Sequence, residues 1–99
     1  MVTVDSARRF RLSSSLSKEA GFRPGQQLAV IANSKNSFSI VAGRKVSKSS
    51  DAPRYSVEKD GRIRVYEKAL NNIGVRRNLR RKTSNLSANV SRGSITVNM

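Results

Sequence analysis

Three clusters of arginine dominate the chemistry this chain could carry. Arg8, Arg9 and Arg11 form the first, Arg62 and Arg64 the second, and Arg76, Arg77, Arg80, Arg81 and Lys82 place five positive charges in seven residues of the third. Guanidinium is planar, forked and permanently charged, which suits it to gripping phosphate rather than to acid-base or nucleophilic work. Lys18, and further along Arg44, Lys45 and Lys48, add a thinner set of cations. Over 99 residues, 20 Lys and Arg stand against 6 Asp and Glu, a net charge of +14, and 13 of the 20 basic residues are Arg. With a pI near 11.7, the expected partner is a polyanion, nucleic acid first.

Rival chemistries find little to build on. The chain has no Cys and no His, which removes thiol nucleophiles, zinc sites of the usual kind and imidazole catalysis. Ser15-Leu16-Ser17-Lys18 fits a Ser-x-x-Lys pattern, but the companion motifs of such acyl-transfer enzymes are missing. The six carboxylates show no metal-ligand spacing, and Asp5 and Glu58 read as surface charges that limit repulsion beside arginines. No catalytic residue, metal or cofactor is expected, and the chain is not expected to be an enzyme. Five aromatics, Phe10, Phe22, Phe38, Tyr55 and Tyr66, are too few for a base-stacking platform. The longest apolar run, Leu28 to Ala32, is far short of a membrane span, and Met1 to Asp5 has no signal pattern. A soluble cytoplasmic protein is expected, associated with the nucleoid or, if viral, in the host cytoplasm.

The elements that must hold these arginines repeat along the chain. A shift of 53 places lays Val2 to Phe22 on Tyr55 to Val75 without a gap, with Val4/Val57, Arg9/Arg62, Arg11/Arg64 and Gly21/Gly74 identical. The apolar positions coincide too: Phe10/Ile63, Leu12/Val65, Leu16/Ala69, Ala20/Ile73 and Phe22/Val75. In each half a short alternating strand (Val2 to Val4, Tyr55 to Val57) is followed by a turn and a second strand (Arg9 to Leu12, Arg62 to Val65). Asp60-Gly61 is a strong hairpin dipeptide, which Ala7-Arg8 is not. The period then becomes helical over Ser14 to Ala20, capped by Ser13 or Ser14, and over Glu67 to Ile73. Gly21 and Gly74 stand where a left-handed helix end is wanted. A hairpin follows in the first half, Gln27 to Ala32 and Ser37 to Val41, with Phe38 and Ile40 on one face. Another follows the basic run in the second half, Ser84 to Val90 and Ser94 to Val97. Residues 1–41 and 54–99 thus form two β-β-α-β-β repeats, joined by a basic, Gly- and Ser-rich stretch over 42–53 that is expected to be a mobile linker.

Gly61-Arg62-Ile63-Arg64-Val65 through Ile73-Gly74-Val75, Arg9-Phe10-Arg11-Leu12 through Ala20-Gly21-Phe22, and the turn Arg23-Pro24-Gly25 resemble the SpoVT-AbrB swapped-hairpin family, which includes the AbrB, MazE and MraZ types. The resemblance covers residues 2–41 and 55–97. It implies a mostly β fold with two short helices (α+β), in which the two repeats interleave their hairpins into one swapped-hairpin barrel. A half of about 45 residues cannot bury its own apolar face, so exchange has a physical reason. Two copies in one chain imply a monomeric pseudo-dimer, with a homodimer of chains as the alternative. The sequence departs from the family pattern where Ser13 and Tyr66 replace the proline before each helix, and the acidic tail of MazE-like antitoxins is missing, so no toxin-neutralising role is expected.

The resemblance also implies DNA contacts at Arg9 and Arg62, and in MazE-like members at Arg11 and Arg64; Lys18 lies near a family contact position. Strand alternation reaches the same arginines independently: with Phe10, Leu12, Ile63 and Val65 facing in, Arg9, Arg11, Arg62 and Arg64 face out. Together with Arg8 they would make one basic surface able to enter a groove of duplex DNA. Arg76, Arg77, Arg80, Arg81 and Lys82 would clamp phosphates, and Lys18, Arg44, Lys45 and Lys48 would add weaker backbone contacts. The expected function is a double-stranded DNA-binding transcription regulator of prokaryotic or viral origin, with no membrane partner. The alternatives are a non-specific architectural nucleoid protein, an RNA-binding protein, and a viral effector covering an acidic host protein.

Overall fold

The computed structural model describes residues 2–4, 8–47, 52–76 and 87–98. The chain runs β1 (Val2–Val4), β2 (Arg9–Leu12), α1 (Ser14–Ala20), β3 (Gln27–Ser34), β4 (Ser37–Ala42), a 3₁₀ turn (Gly43–Lys45), β5 (Arg54–Ser56), β6 (Ile63–Tyr66), α2 (Glu67–Asn72), β7 (Ser87–Ser91) and β8 (Ser94–Asn98). It is mostly β with two short helices, in two sheets: three strands ordered β1-β2-β6 and five ordered β5-β3-β4-β8-β7.

Both sheets turn an apolar face inward. Phe10, Leu12, Ile63 and Val65 from the small sheet meet Leu28, Val30, Phe38, Ile40, Ile95 and Val97 from the large one, all at or below 1% exposure. The Phe10 and Phe38 rings join the layers edge to face, 5.7 Å between centroids at 85°. That is the offset geometry aromatic quadrupoles favour. Helices of seven and six residues are too short to stand alone. They persist because Leu16 and Ala20 of α1, and Leu70 of α2, are buried in the same core.

Each helix ends by the same device. Gly21 and Gly74 take φ of 80° and 88°, a left-handed conformation that costs a side chain about 1–2 kcal/mol. The N–H groups of Gly21 and Phe22 donate to the carbonyls of Lys18 and Ser17, and those of Gly74 and Val75 to Asn71 and Leu70. Phe22 and Val75 then bury beside the helix. The helix starts are plainer. Ser13 sits at the N-cap of α1 without a side-chain cap bond, and its hydroxyl lies 2.9 Å from that of Ser15.

Several strands differ from the sequence expectation. β3 and β4 extend to Ser34 and Ala42, with a bulge between Ala32 and Ser34, so the turn shrinks to Lys35-Asn36. Asn33 sustains the extension through its side-chain amide, which donates to the Ser39 hydroxyl at 2.7 Å. β5 and β6 are each displaced by one residue, and α2 ends at Asn72. The turn at Asp60-Gly61 forms, with Glu58 N–H donating to the Arg62 carbonyl at 2.9 Å. Even so, the ladder partner of β5 is β3, through Gln27↔Ser56, Leu28↔Tyr55 and Ala29↔Arg54. The expected start of the last hairpin, residues 84–86, lies outside the described residues.

Within 42–53 the described residues are structured rather than free. The Arg54 guanidinium donates to the carbonyls of Gly43 (3.0 Å), Val46 (3.2 Å) and Ser47 (3.0 Å), and Val30 N–H donates to the Pro53 carbonyl at 2.9 Å. Hydrogen bonds supply here what the missing apolar periodicity does not.

Candidate nucleic-acid interface

β2 and β6 lie side by side, antiparallel, with Arg9↔Tyr66, Phe10↔Val65, Arg11↔Arg64 and Leu12↔Ile63 opposed. The pleat sends Phe10, Leu12, Ile63 and Val65 into the core and leaves Arg9, Arg11 and Arg64 half-exposed on the outer face. Arg62, one residue before β6, is exposed, as is Arg8 before β2. The expected basic surface is therefore assembled from both halves of the chain. Direct opposition of Arg11 and Arg64 places like charges across a strand pair, which weakens that pairing by a few tenths of a kcal/mol or more.

The acids soften this repulsion on one side. Glu58 holds Arg64 Nε at 2.8 Å, in keeping with its reading as a charge beside arginines, and Asp60 stands 3.5 Å from Arg62 Nε and accepts the Arg62 backbone N–H at 3.0 Å. Both pairs are a third to a half exposed, so each contributes at most about 1 kcal/mol. A competing phosphate can displace such partners. Arg11 has no carboxylate partner among the described residues. Asp5, the expected counterpart of Glu58, lies outside them.

Arg8 is held unusually. Its φ of 58° makes it the one non-glycine residue with positive φ among those described, and the equivalent place in the second half is Gly61, φ 87°. The Arg8 carbonyl accepts the Glu67 N–H that opens α2, at 3.0 Å. Glycine would make that turn without strain, yet this half carries an exposed guanidinium there.

Of the remaining expected contacts, Lys18 is exposed on α1, and Arg44 and Lys45 are exposed on the 3₁₀ turn. Arg76 is exposed, its N–H donating to the Lys35 carbonyl at 2.7 Å. Arg77, Arg80, Arg81, Lys82 and Lys48 lie outside the described residues. Sequence reasoning missed Arg23 and Arg92, which the fold brings beside Lys18, Arg44 and Lys45 around one depression. Isolated cations at such separations leave no local signal. It also missed Arg54, whose carbonyl contacts make it structural.

Comparison with protein-family models, curated proteins and solved structures finds no match to this chain. Among the described residues, no helix is long and apolar enough to cross a membrane.

Proposed function

We propose that this chain is a non-enzymatic, double-stranded DNA-binding protein that acts as a transcription regulator, presenting the β2–β6 ribbon to the major groove. The observation that carries the reading is the opposition of Arg11 and Arg64 on the outer face, flanked by Arg8, Arg9 and Arg62. β2 and β6 are two neighbouring strands of the three-stranded small sheet, and arginine on such a face can hold guanine in the major groove by a paired contact. Like charges set face to face are most readily accounted for by an anionic ligand that neutralises them, and the strained Arg8 points the same way.

The symmetry of the pairing supports a duplicated, swapped-hairpin arrangement resembling the SpoVT-AbrB family. Under the 53-residue shift, the Phe10↔Val65 pair becomes Ile63↔Leu12, so three of the four β2–β6 pairs map onto one another with Arg11↔Arg64 at their centre, Arg9↔Tyr66 being the exception. A shift of 57, which adds a four-residue insertion after α2, does the same for β4–β8, with Ser39↔Thr96 at the centre. Their hydroxyls lie 3.0 Å apart. Each helix end also meets the other half's hairpin tip, through Gly93 N–H to the Ala20 carbonyl at 2.8 Å and Arg76 N–H to the Lys35 carbonyl. One chain then supplies both halves of a dyad-related surface, which suits an imperfectly palindromic site.

The test is selection from a randomised duplex pool at near-physiological salt, followed by titration of the winning site. The expected result is a short, imperfectly palindromic site for which the Arg11→Ala/Arg64→Ala variant loses both affinity and preference. Absence of duplex binding, or a variant as tight and as selective as the parent, overturns the reading.

A further inference from the structure

A second basic surface lies at the end of the molecule where α1 stops. The depression there is lined by Lys18, Arg23, Arg44, Lys45 and Arg92, and it shares Gly21, Arg23, Gln26, Ala42 and Arg44 with a neighbouring one that runs on to Arg54. The two are continuous and open, with volumes of about 720 and 1180 Å³. Cations spread along such an open trough suit an extended polyanion better than one small anion. No carboxylate among the described residues pairs with any of its five lining cations.

The trough is built, not incidental. Gly93, at φ 85°, donates its N–H to Ala20 and so locks the β7–β8 tip onto the end of α1. Lys45 folds over that tip: a Cβ on Gly93 would stand 2.9 Å from Lys45 Nζ, leaving no room for a side chain there unless Lys45 moved. The turn carrying Arg44 and Lys45 is pinned by the three Arg54 hydrogen bonds, and Arg23 N–H donates to Gln26 Oε1 at 3.0 Å. Ammonium and guanidinium groups are thus held together from four separate segments. Unneutralised cations gathered this way repel one another, and an anionic ligand removes that penalty.

We propose that this trough is a second, phosphodiester-binding site that takes the nucleic-acid backbone to one side of the β2–β6 ribbon. The inference rests on the duplex-binding reading for its choice of ligand. The pseudo-symmetric place, where the chain after α2 meets the β3–β4 tip, has Asn71 for Lys18, Arg76 for Arg23 and Lys35 for Arg92.

The experiment compares the parent, Lys45→Gln/Arg92→Gln, and an equal charge change at the opposite end, Lys35→Gln/Lys68→Gln. Probes are a mixed-sequence duplex of about 20 base pairs, linear polyphosphate and polyglutamate. The expected result is that Lys45→Gln/Arg92→Gln lowers the salt slope of duplex binding by about 2 and weakens affinity about tenfold or more, while the control double variant changes both far less. Its melting temperature should equal or exceed the parent's, because two neighbouring like charges are gone. Equal losses in both double variants, or no loss in either, overturns the proposal. So does loss of polyglutamate binding alone, which would make the trough a protein-docking site. Failure of the parent to bind duplex, with polyphosphate binding still lost selectively in Lys45→Gln/Arg92→Gln, overturns the ribbon reading and leaves the phosphate site standing.

Discussion

Residues 9–22 and 62–75 make similar helix ends and core contacts with different surface side chains. Where the chain must turn or stop, the solutions coincide: Gly21 and Gly74 close their helices with the same pair of hydrogen bonds, and Phe10/Ile63 and Leu12/Val65 fill matching core places at or below 1% exposure. Where the chain meets solvent or a neighbour, they part. Arg8 stands in the place of Gly61, Ser17 in that of Leu70, Val2 in that of Tyr55 and Lys18 in that of Asn71. Backbone geometry coincides at these helix ends and core positions but not at the first strands, since β1 pairs with β2 and β5 with β3.

The largest effect should come from the shared core. Phe10→Ala removes a fully buried ring that touches Phe38 and should cost about 3–5 kcal/mol, with Ile63→Ala at about 2–5 kcal/mol. Domains of this size hold only about 5–15 kcal/mol in all, so either variant should melt far below the parent. The two sites sit on the same face of adjacent strands, so the double variant should depart from additivity. Strict additivity in denaturant titrations would mean that the halves do not share a core.

The turns should respond with opposite signs. Gly61→Ala meets both the left-handed penalty at φ 87° and a 3.1 Å approach to Ser14 Cβ, and should cost more than the ~1–2 kcal/mol of the conformation alone. Arg8→Gly relieves strain at φ 58° and should stabilise by up to about 1 kcal/mol. It should also weaken duplex binding. Stability and binding moving together in Arg8→Gly would remove the case for Arg8 as a positioned contact.

A smaller effect separates Ser17 from Leu70. Both are about 1% exposed, but the Ser17 hydroxyl is buried without a hydrogen-bond partner among the described residues. An unsatisfied buried hydroxyl carries a desolvation penalty of about 1 kcal/mol or more. Ser17→Ala should therefore raise the melting temperature, whereas Leu70→Ala should lower it sharply. Destabilisation by Ser17→Ala would show that the hydroxyl makes a bond in solution.

Local chemistry was legible in the sequence and distant pairing was not. The glycines that end both helices, the in-out alternation of β2 and β6, and hence the outward arginines follow from rules acting over a few residues. The partner of β5 does not: Asp60-Gly61 signals a turn, but which strand Tyr55 then joins is decided by packing against β3, far away in sequence. Asn33 and Ser34 lack the apolar pattern of a strand, so the extension of β3 depends on side-chain bonds invisible to periodicity. The trough is the extreme case, since Lys18, Arg23, Lys45 and Arg92 become neighbours only once the β7–β8 tip docks on α1.

The finest distinction between the halves lies at Tyr55. Val2 pairs with Leu12 in a regular ladder, but Tyr55 reaches β6 instead through its hydroxyl, which accepts the Tyr66 N–H at 3.4 Å. Burial raises the phenol's pKa above its usual 10.0; the backbone hydrogen bond from Tyr66 opposes the shift, and Coulomb interaction with Tyr66 adds to it. A raised folded-state value means that the unfolded chain releases its proton first. The contribution of Tyr55 to stability is therefore fully present below pH 10 and is lost as pH climbs through the folded value. Tyr55→Phe should cost only about 0.5 kcal/mol near neutrality, since the lost bond is long, and the gap to the parent should close as melts move from about pH 9 to about pH 11. A gap that widens with pH would mean the ionised phenol is the better-held form, and the contact between β5 and β6 would then be electrostatic rather than a buried, neutral hydrogen bond.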